Sequence, residues 1–382
     1  MRRKENSAGE SEGAEVATKI ILSGYYGFGN TGDEAVLSGI IESFGQVCPG
    51  AELLALSSDP AGTTAQHGIR AADRMKPSEL LPAIRSADLL ISGGGSLLQN
   101  TTSARSLGYY LSVIWLAKRF RKKVMVYAQG IGPLTGYAAR NAVKYVLNRV
   151  DLITVRDAAS KSCLEDIGVN RPDILVTADP AFAMKPAPDE DAQEILRATG
   201  VPEDVPLIGI SLRPWKNNIN WLPALSQGLE NAASKIGAAL VFLPMQREKD
   251  TGISVQVASQ VTVPSFVVSG HYTPAQIMSI TGRMSFVVGM RLHSLIFSAS
   301  EGIPFLSIAY DPKVEAFTRV AGQDEPIKLD GLTASVVTSR IIDAWNRKNE
   351  LSKRISERLP KLHAAAIENA ELACGLMSQE EH

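Results

Sequence analysis

The chain has 382 residues, 45% hydrophobic and 21% charged, which at roughly 150 residues per domain predicts two to three globular domains. These proportions exclude a disordered chain, a collagen-like repeat and a coiled coil. Lys and Arg number 39 against 40 Asp and Glu, a formal net charge of −1, so no global basic field exists to hold nucleic acid or an anionic membrane.

The leader MRRKENSAGESEGAEVATK has two arginines but no apolar run behind them. Residues 1–17 therefore read as a disordered leader rather than a signal peptide. An apolar strand over Lys19–Ser23 enters the loop GYYGFGNTGDEA. A helix over Ala35–Val47 follows, with Val36, Leu37, Ile40, Ile41 and Phe44 on one face. Strands are then predicted at Glu52–Ser57, Asp88–Ser92, Lys123–Ala128, Leu152–Arg156 and Ile174–Thr177. Helices are predicted between them at Pro77–Ser86, Tyr109–Phe120, Gly136–Val150 and Ser160–Ile167. Short apolar strands alternating with helices mean parallel sheet buried on both faces.

Prolines and acids cluster between Phe182 and Val205, which marks an interdomain linker over 186–205 with one short helix. The alternation restarts with strands Leu207–Leu212, Ala239–Phe242, Ser265–Val268, Ser285–Gly289 and Pro304–Ala309. Their helices are Trp221–Ile236, Thr251–Ala258, Thr273–Thr281 and Arg291–Glu301, before a closing amphipathic pair, Ala334–Asn349 and Leu351–Leu376. The fold class is α/β: two doubly wound domains, 18–185 and 206–350, facing a cleft. The helix in 351–382 is expected to pack back on the first domain.

No apolar run reaches the ~18–20 residues of a membrane span. Cys48, Cys163 and Cys374 form no CxxC pair and read as small buried apolar residues in a reducing compartment. The expected location is cytoplasmic, with peripheral contact at the inner face of the cytoplasmic membrane. No metal-ligand cluster is read in the sequence.

Open parallel sheets bind ligands outside the carboxyl ends of their strands, and four strand ends carry chemistry. At the first, Gly27, Gly29 and Gly32 have dinucleotide-type spacing, but Asp33 and Glu34 at the helix start would repel phosphate. With Asn30 they suit sugar hydroxyls or general-base work, or they cap the helix. At the second, Gly93, Gly94 and Gly95 precede Gln99 and a polar run; these supply neutral hydrogen-bonding groups for a sugar, or form a tight turn. The third carries Arg156, which opens into the cleft or pairs with Asp157; Asp179 then orients Arg156 or caps its own turn.

The fourth cluster joins Arg213, Arg291, His293 and Lys313 from three strand ends of the second half. Three cations and an imidazole on one rim point to a small, highly charged anion. His67 and His271 read as loop residues, His363 as a helix surface residue and His382 as tail.

In these stretches the sequence resembles the polysaccharide pyruvyltransferase family, in particular the CsaB type that modifies secondary cell-wall polymers. The matching segments are GYYGFGNTGDEAVLSGII, SGGGSLLQNTTS, YAQGIGPL, VRDAASK, VTADPAFA, ISLRPW, GMRLHSLIFSAS and IAYDPKVEAF, in order from Gly24 to Phe317. Asn100 stands where an acid is common in the family.

The resemblance implies a GT-B-like pair of Rossmann-type domains, the first on the acceptor side and the second on the phosphoenolpyruvate side. It implies transfer of pyruvate from phosphoenolpyruvate to the 4- and 6-hydroxyls of one sugar, typically N-acetylmannosamine, as a cyclic ketal. The acceptor is a lipid-linked or free amino-sugar oligosaccharide, and the ketal-bearing polymer anchors S-layer proteins. By position, Arg156, Arg291 and Lys313 match the donor-binding and catalytic basic residues, and Arg213 is added from the residues alone. His293 is the acid/base, its step left open, with no cofactor beyond the donor. Asn30, Asp33, Glu34, Gly94, Gly95 and Gln99 face the acceptor.

The rival readings are a GT-B nucleotide-sugar glycosyltransferase and a non-enzymatic sugar- or anion-binding protein. Oligomeric state stays open. The basic stretch Arg347–Arg358 touches lipid headgroups or forms a solvated helix face.

Overall fold

The computed structural model describes residues 18–101, 103–215 and 220–378. The leader expected at 1–17 and His382 lie outside the described residues. The first half holds strands β1 (Lys19–Tyr26), β2 (Glu52–Ser57), β3 (Arg70–Asp73), β4 (Leu89–Gly93), β5 (Lys123–Gln129), β6 (Leu152–Val155) and β7 (Ile174–Val176). They form a parallel sheet in the order β3-β2-β1-β4-β5-β6-β7.

The second half holds β8 (Leu207–Ser211), β9 (Ala239–Phe242), β10 (Ser265–Val267), β11 (Phe286–Gly289), β12 (Phe305–Ala309) and β13 (Ile327–Lys328). This second parallel sheet runs β10-β9-β8-β11-β12-β13. Strand order reverses between β1 and β4 and again between β8 and β11. Diverging connections open a crevice at each point.

Alternation along β1 decides what covers each face of the first sheet. Ile20 and Leu22 pack with Val36, Leu37, Ile40 and Phe44 of the helix Thr31–Val47. Ile21 faces the opposite layer, with Leu111 and Ile114 of the helix Ala104–Arg119 and Val143 and Leu147 of the helix Tyr137–Leu147.

The closing pair is present as Ala334–Asn346 and the 31-residue Lys348–Ser378, with its break at Arg347 rather than at 350. The longer helix starts with Leu351 in the second domain's core and ends with Ala370 and Ala373 sealed in the first. Buried Asn369 anchors this return, its Oδ1 accepting from Thr154 Oγ1 at 2.6 Å and Thr177 Oγ1 at 2.9 Å. The first glycine loop also meets the second domain directly. Thr31 donates its backbone N–H to the Met245 carbonyl at 2.9 Å, and Asn30 bridges to Gln246.

Several elements differ from the sequence reading. The helices Pro60–His67 and Pro312–Val320 and the strands β3 and β13 were not expected. Each is short, the strands at four and two residues, and the two helices open on a proline that reads as a turn until its aspartate cap is seen. His67 thus ends a helix rather than sitting in a loop. The three cysteines are only partly covered, not buried, because they pack at the margins of the first domain's two core layers.

Candidate active site

Strand ends of both sheets converge on one cavity of about 590 Å³. Asn30, Asp33, Gly95, Gln99 and Arg156 line it from the first domain, and Arg213, Arg291, His293 and Lys313 from the second. These are nine of the eleven residues named from sequence. The other two, Glu34 and Gly94, do not line the cavity.

Glu34 is buried, its Oε1 accepting the Gly27 backbone N–H at 2.8 Å and its Oε2 lying 3.0 Å from His67 Nε2. It braces the glycine loop from behind, because successive helical residues point in different directions. Gly94 has φ +63°, and a Cβ there would lie 1.8 Å from Val36 Cγ1. Its role is to let the helix Thr31–Val47 close on the end of β4. Asn100 likewise acts structurally, its amide clasping Thr135 through bonds of 2.7 and 2.9 Å.

The helix start is capped by Asn30, whose side chain accepts from Gly32 N–H and donates to Asp33 Oδ2. Asp33 is thereby turned into the cavity. Burial raises its pKa to about 7, and Glu34 adds to this; Lys313 and Arg156 pull it back down.

Arg156 is held on three sides. It donates to Asp179 Oδ2 at 2.9 Å and to Ser96 Oγ at 3.0 Å, and Asp157 lies 3.7 Å from its Nε. Asp179 both orients Arg156 and caps its own turn through Ala181 N–H, so the two alternatives left by the sequence are compatible. Asp157 divides its role too, capping the helix Ala158–Asp166 through Ser160 N–H.

Arg291 enters the cavity at the start of the helix Leu292–Ser300 and makes a fork-to-fork pair with Asp250. The bonds are 2.9 Å from Nε and 2.5 Å from Nη2. The Asp250 side chain has no exposure and also accepts the Gln246 N–H at 2.9 Å. Sequence reasoning missed Asp250, together with cavity residues Gln246 and Lys249. The charged run QREKD follows the end of β9 after Leu243, Pro244 and Met245, which was the available signal.

Arg213 has no carboxylate partner among the described residues. It donates to Tyr310 Oη at 2.9 Å and lies over the Tyr310 ring at 4.8 Å, while its Nε is buried without a hydrogen bond. A guanidinium left short of acceptors in a cavity wall is suited to an incoming anion. Lys313 stands nearby with Nζ 3.7 Å from Asp311.

His293 sits in the first turn of its helix, Nε2 buried without a hydrogen bond and 3.8 Å from Asp179 Oδ2. Burial lowers its pKa to about 4; Asp179 opposes this, and Arg156, Lys313 and Arg291 reinforce it. The ordinary histidine value of about 6.5 does not hold at this position. The imidazole is therefore neutral at pH 7, with an unprotonated nitrogen inside the cavity.

A Cβ on Gly32 would lie 2.1 Å from His293 Nδ1. Gly32→Ala suits the helix itself, but its overlap with the buried imidazole should cost about 1–3 kcal/mol of stability. It should displace the imidazole and lower turnover about a hundredfold. Paired denaturation and rate measurements check both halves of this expectation.

The architecture is the GT-B type, two Rossmann-like domains with the site between them, and the chain belongs to the polysaccharide pyruvyl transferase family, whose model matches residues 30–312. It is thus a member of a transferase family. A curated relative, the amylovoran biosynthesis protein AmsJ of Erwinia amylovora, is 21% identical over 352 residues, covering 77% of this chain and 84% of AmsJ.

Among solved structures, the UDP complex of MnaA from S. aureus aligns with TM-score 0.65 at 14% identity, covering 94% of this chain and 98% of MnaA. The UDP-GlcNAc 2-epimerase of Neisseria meningitidis bound to UDP-GlcNAc aligns at 0.59 and 12% identity, covering 95% and 100%. At these identities the likeness is one of fold. Among the described residues no helix is long and apolar enough to cross a membrane.

Proposed function

We propose that the protein transfers pyruvate from phosphoenolpyruvate to two hydroxyls of one sugar, forming a 4,6-ketal and releasing phosphate. The sugar is an amino sugar, N-acetylmannosamine, in a cell-wall polymer precursor whose ketal serves S-layer anchoring. The observation that carries this reading is the meeting of Arg156, Arg213, Arg291 and Lys313 with Asp33 and His293 around one cavity. A donor with a phosphate and a carboxylate on three carbons needs several fixed cations together, and the first-domain wall of Asn30, Gly95 and Gln99 suits hydroxyl groups. AmsJ's part in amylovoran biosynthesis supports a polymer as the acceptor's destination.

In the proposed reaction Asp33, protonated below about pH 7, gives its proton to the methylene carbon, and C2 becomes electrophilic. The first sugar hydroxyl adds to C2 while neutral His293 takes its proton. The C2–O bond to phosphate then breaks, the electron pair leaving with phosphate toward Arg213, Arg291 and Lys313. The second hydroxyl closes the ketal, its proton goes to the departing phosphate, and the proton on His293 returns to Asp33 through solvent before the next turnover. Fixed charges act here at no reorganisation cost.

The test is incubation with phosphoenolpyruvate and candidate acceptors. One phosphate released per pyruvyl ketal, read by product mass, supports the reading; release of a nucleoside diphosphate from a nucleotide sugar instead would establish the glycosyltransferase alternative.

A further inference from the structure

Between Asp88 and Asp151 the chain has no acidic residue, yet nine Lys and Arg fall between Arg105 and Arg149, in a chain of net charge −1. The helices Ala104–Arg119 and Tyr137–Leu147 carry most of this stretch. They share one core on the sheet face opposite the closing helix. Their outer sides expose Trp115 at 50%, Tyr137 at 84% and Tyr145 at 53%. The same two helices and the turns that follow them expose Arg105, Arg119, Arg121, Arg140, Lys144 and Arg149, with Arg149 over the Tyr145 ring at 3.7 Å, and among the described residues none of the six makes an ion pair. Lys118, by contrast, is neutralised by Asp151 at 2.7 Å.

We infer that this two-helix face docks the protein on an anionic phospholipid surface. Exposed aromatic rings with polar edges settle at headgroup depth. Each nearby basic side chain adds about 1 kcal/mol, roughly a fivefold gain in partition. A second copy of the chain is a poor occupant, since a two-fold contact would set these cations against themselves.

The basic stretch Arg347–Arg358 does not compete, because Arg347 pairs with Asp324 and Arg354 with Glu350. The docking face also adjoins the cavity: Ser103 caps the helix Ala104–Arg119, and Ser103 and Ser106 both line the site. An acceptor carried in the membrane would therefore meet the first-domain wall from the side.

The test is co-sedimentation of the full chain with phosphatidylcholine vesicles with and without phosphatidylglycerol, in the absence of any substrate, so that its failure leaves the reaction assignment standing. Binding is expected only with phosphatidylglycerol and is released by high salt. The Arg119→Glu/Arg121→Glu/Lys144→Glu variant should lose about a hundredfold in partition, and Trp115→Ala/Tyr145→Ala should also weaken it. Lys353→Glu, on the closing helix, should change it little, and all variants should keep the thermal midpoint. Equal binding to neutral vesicles, indifference to the triple reversal, or tighter capture of a single-stranded DNA oligonucleotide through the same residues overturns the proposal.

Discussion

Arg291→Ala is expected to abolish turnover and also to destabilise the fold, because it leaves Asp250 as a carboxylate with no exposure and no cation. Breaking one side of such a pair costs about 3–5 kcal/mol. The Asp250 fork thus gives Arg291 a structural role beside its chemical one. The structural and chemical roles separate in a double variant. Arg291→Met with Asp250→Leu removes both charges, should recover most of the stability in a denaturant titration, and should remain inactive. Recovery of activity with stability would mean that Arg291 serves only as the partner of Asp250. Arg291→Lys keeps the charge but not the fork and should retain donor binding only weakly.

The second large effect concerns proton transfer. His293→Ala should lower kcat by about 10²–10⁴ while leaving the fold intact, since Nε2 makes no hydrogen bond that would be lost. Asp33→Asn should lower kcat similarly, because an amide has no proton to give to carbon. The pH profile assigns the steps. Asp33 has its pKa raised to about 7 and His293 lowered to about 4, so between these values the carboxyl holds a proton and the imidazole does not. On the proposed roles kcat/KM falls as pH rises through about 7, and the residual activity of Asp33→Asn lacks that limb. A profile that rises through 7 would make Asp33 the base and reverse the two assignments.

Much of this was legible in the sequence for a simple reason. Parallel strands buried on both faces, such as Leu89–Gly93 and Leu207–Ser211, read as apolar runs, and chemistry in such sheets gathers where the runs end. Scanning those ends found Asp33, Arg156, Arg213, Arg291, His293 and Lys313. What sequence could not supply was direction and partnership. Asp33 and Glu34 are neighbours in the chain, yet one faces the cavity and the other pins Gly27 and His67 behind it. Asp250 lies 41 residues before Arg291, and only the tertiary fold brings the fork together. The pKa displacements of Asp33 and His293 arise from burial in first helical turns that face the cavity, where cover comes from the opposite domain and not from the helix's own apolar stripe, which is all that periodicity reports.

The central claim is that the cavity holds phosphoenolpyruvate, and the most direct measurement is calorimetric titration of that compound, and separately of UDP, into the protein and its Lys313→Ala variant. The account predicts saturable one-to-one binding of phosphoenolpyruvate that weakens at least tenfold in the variant, and no heat from UDP. Saturable UDP binding without any from phosphoenolpyruvate would contradict it.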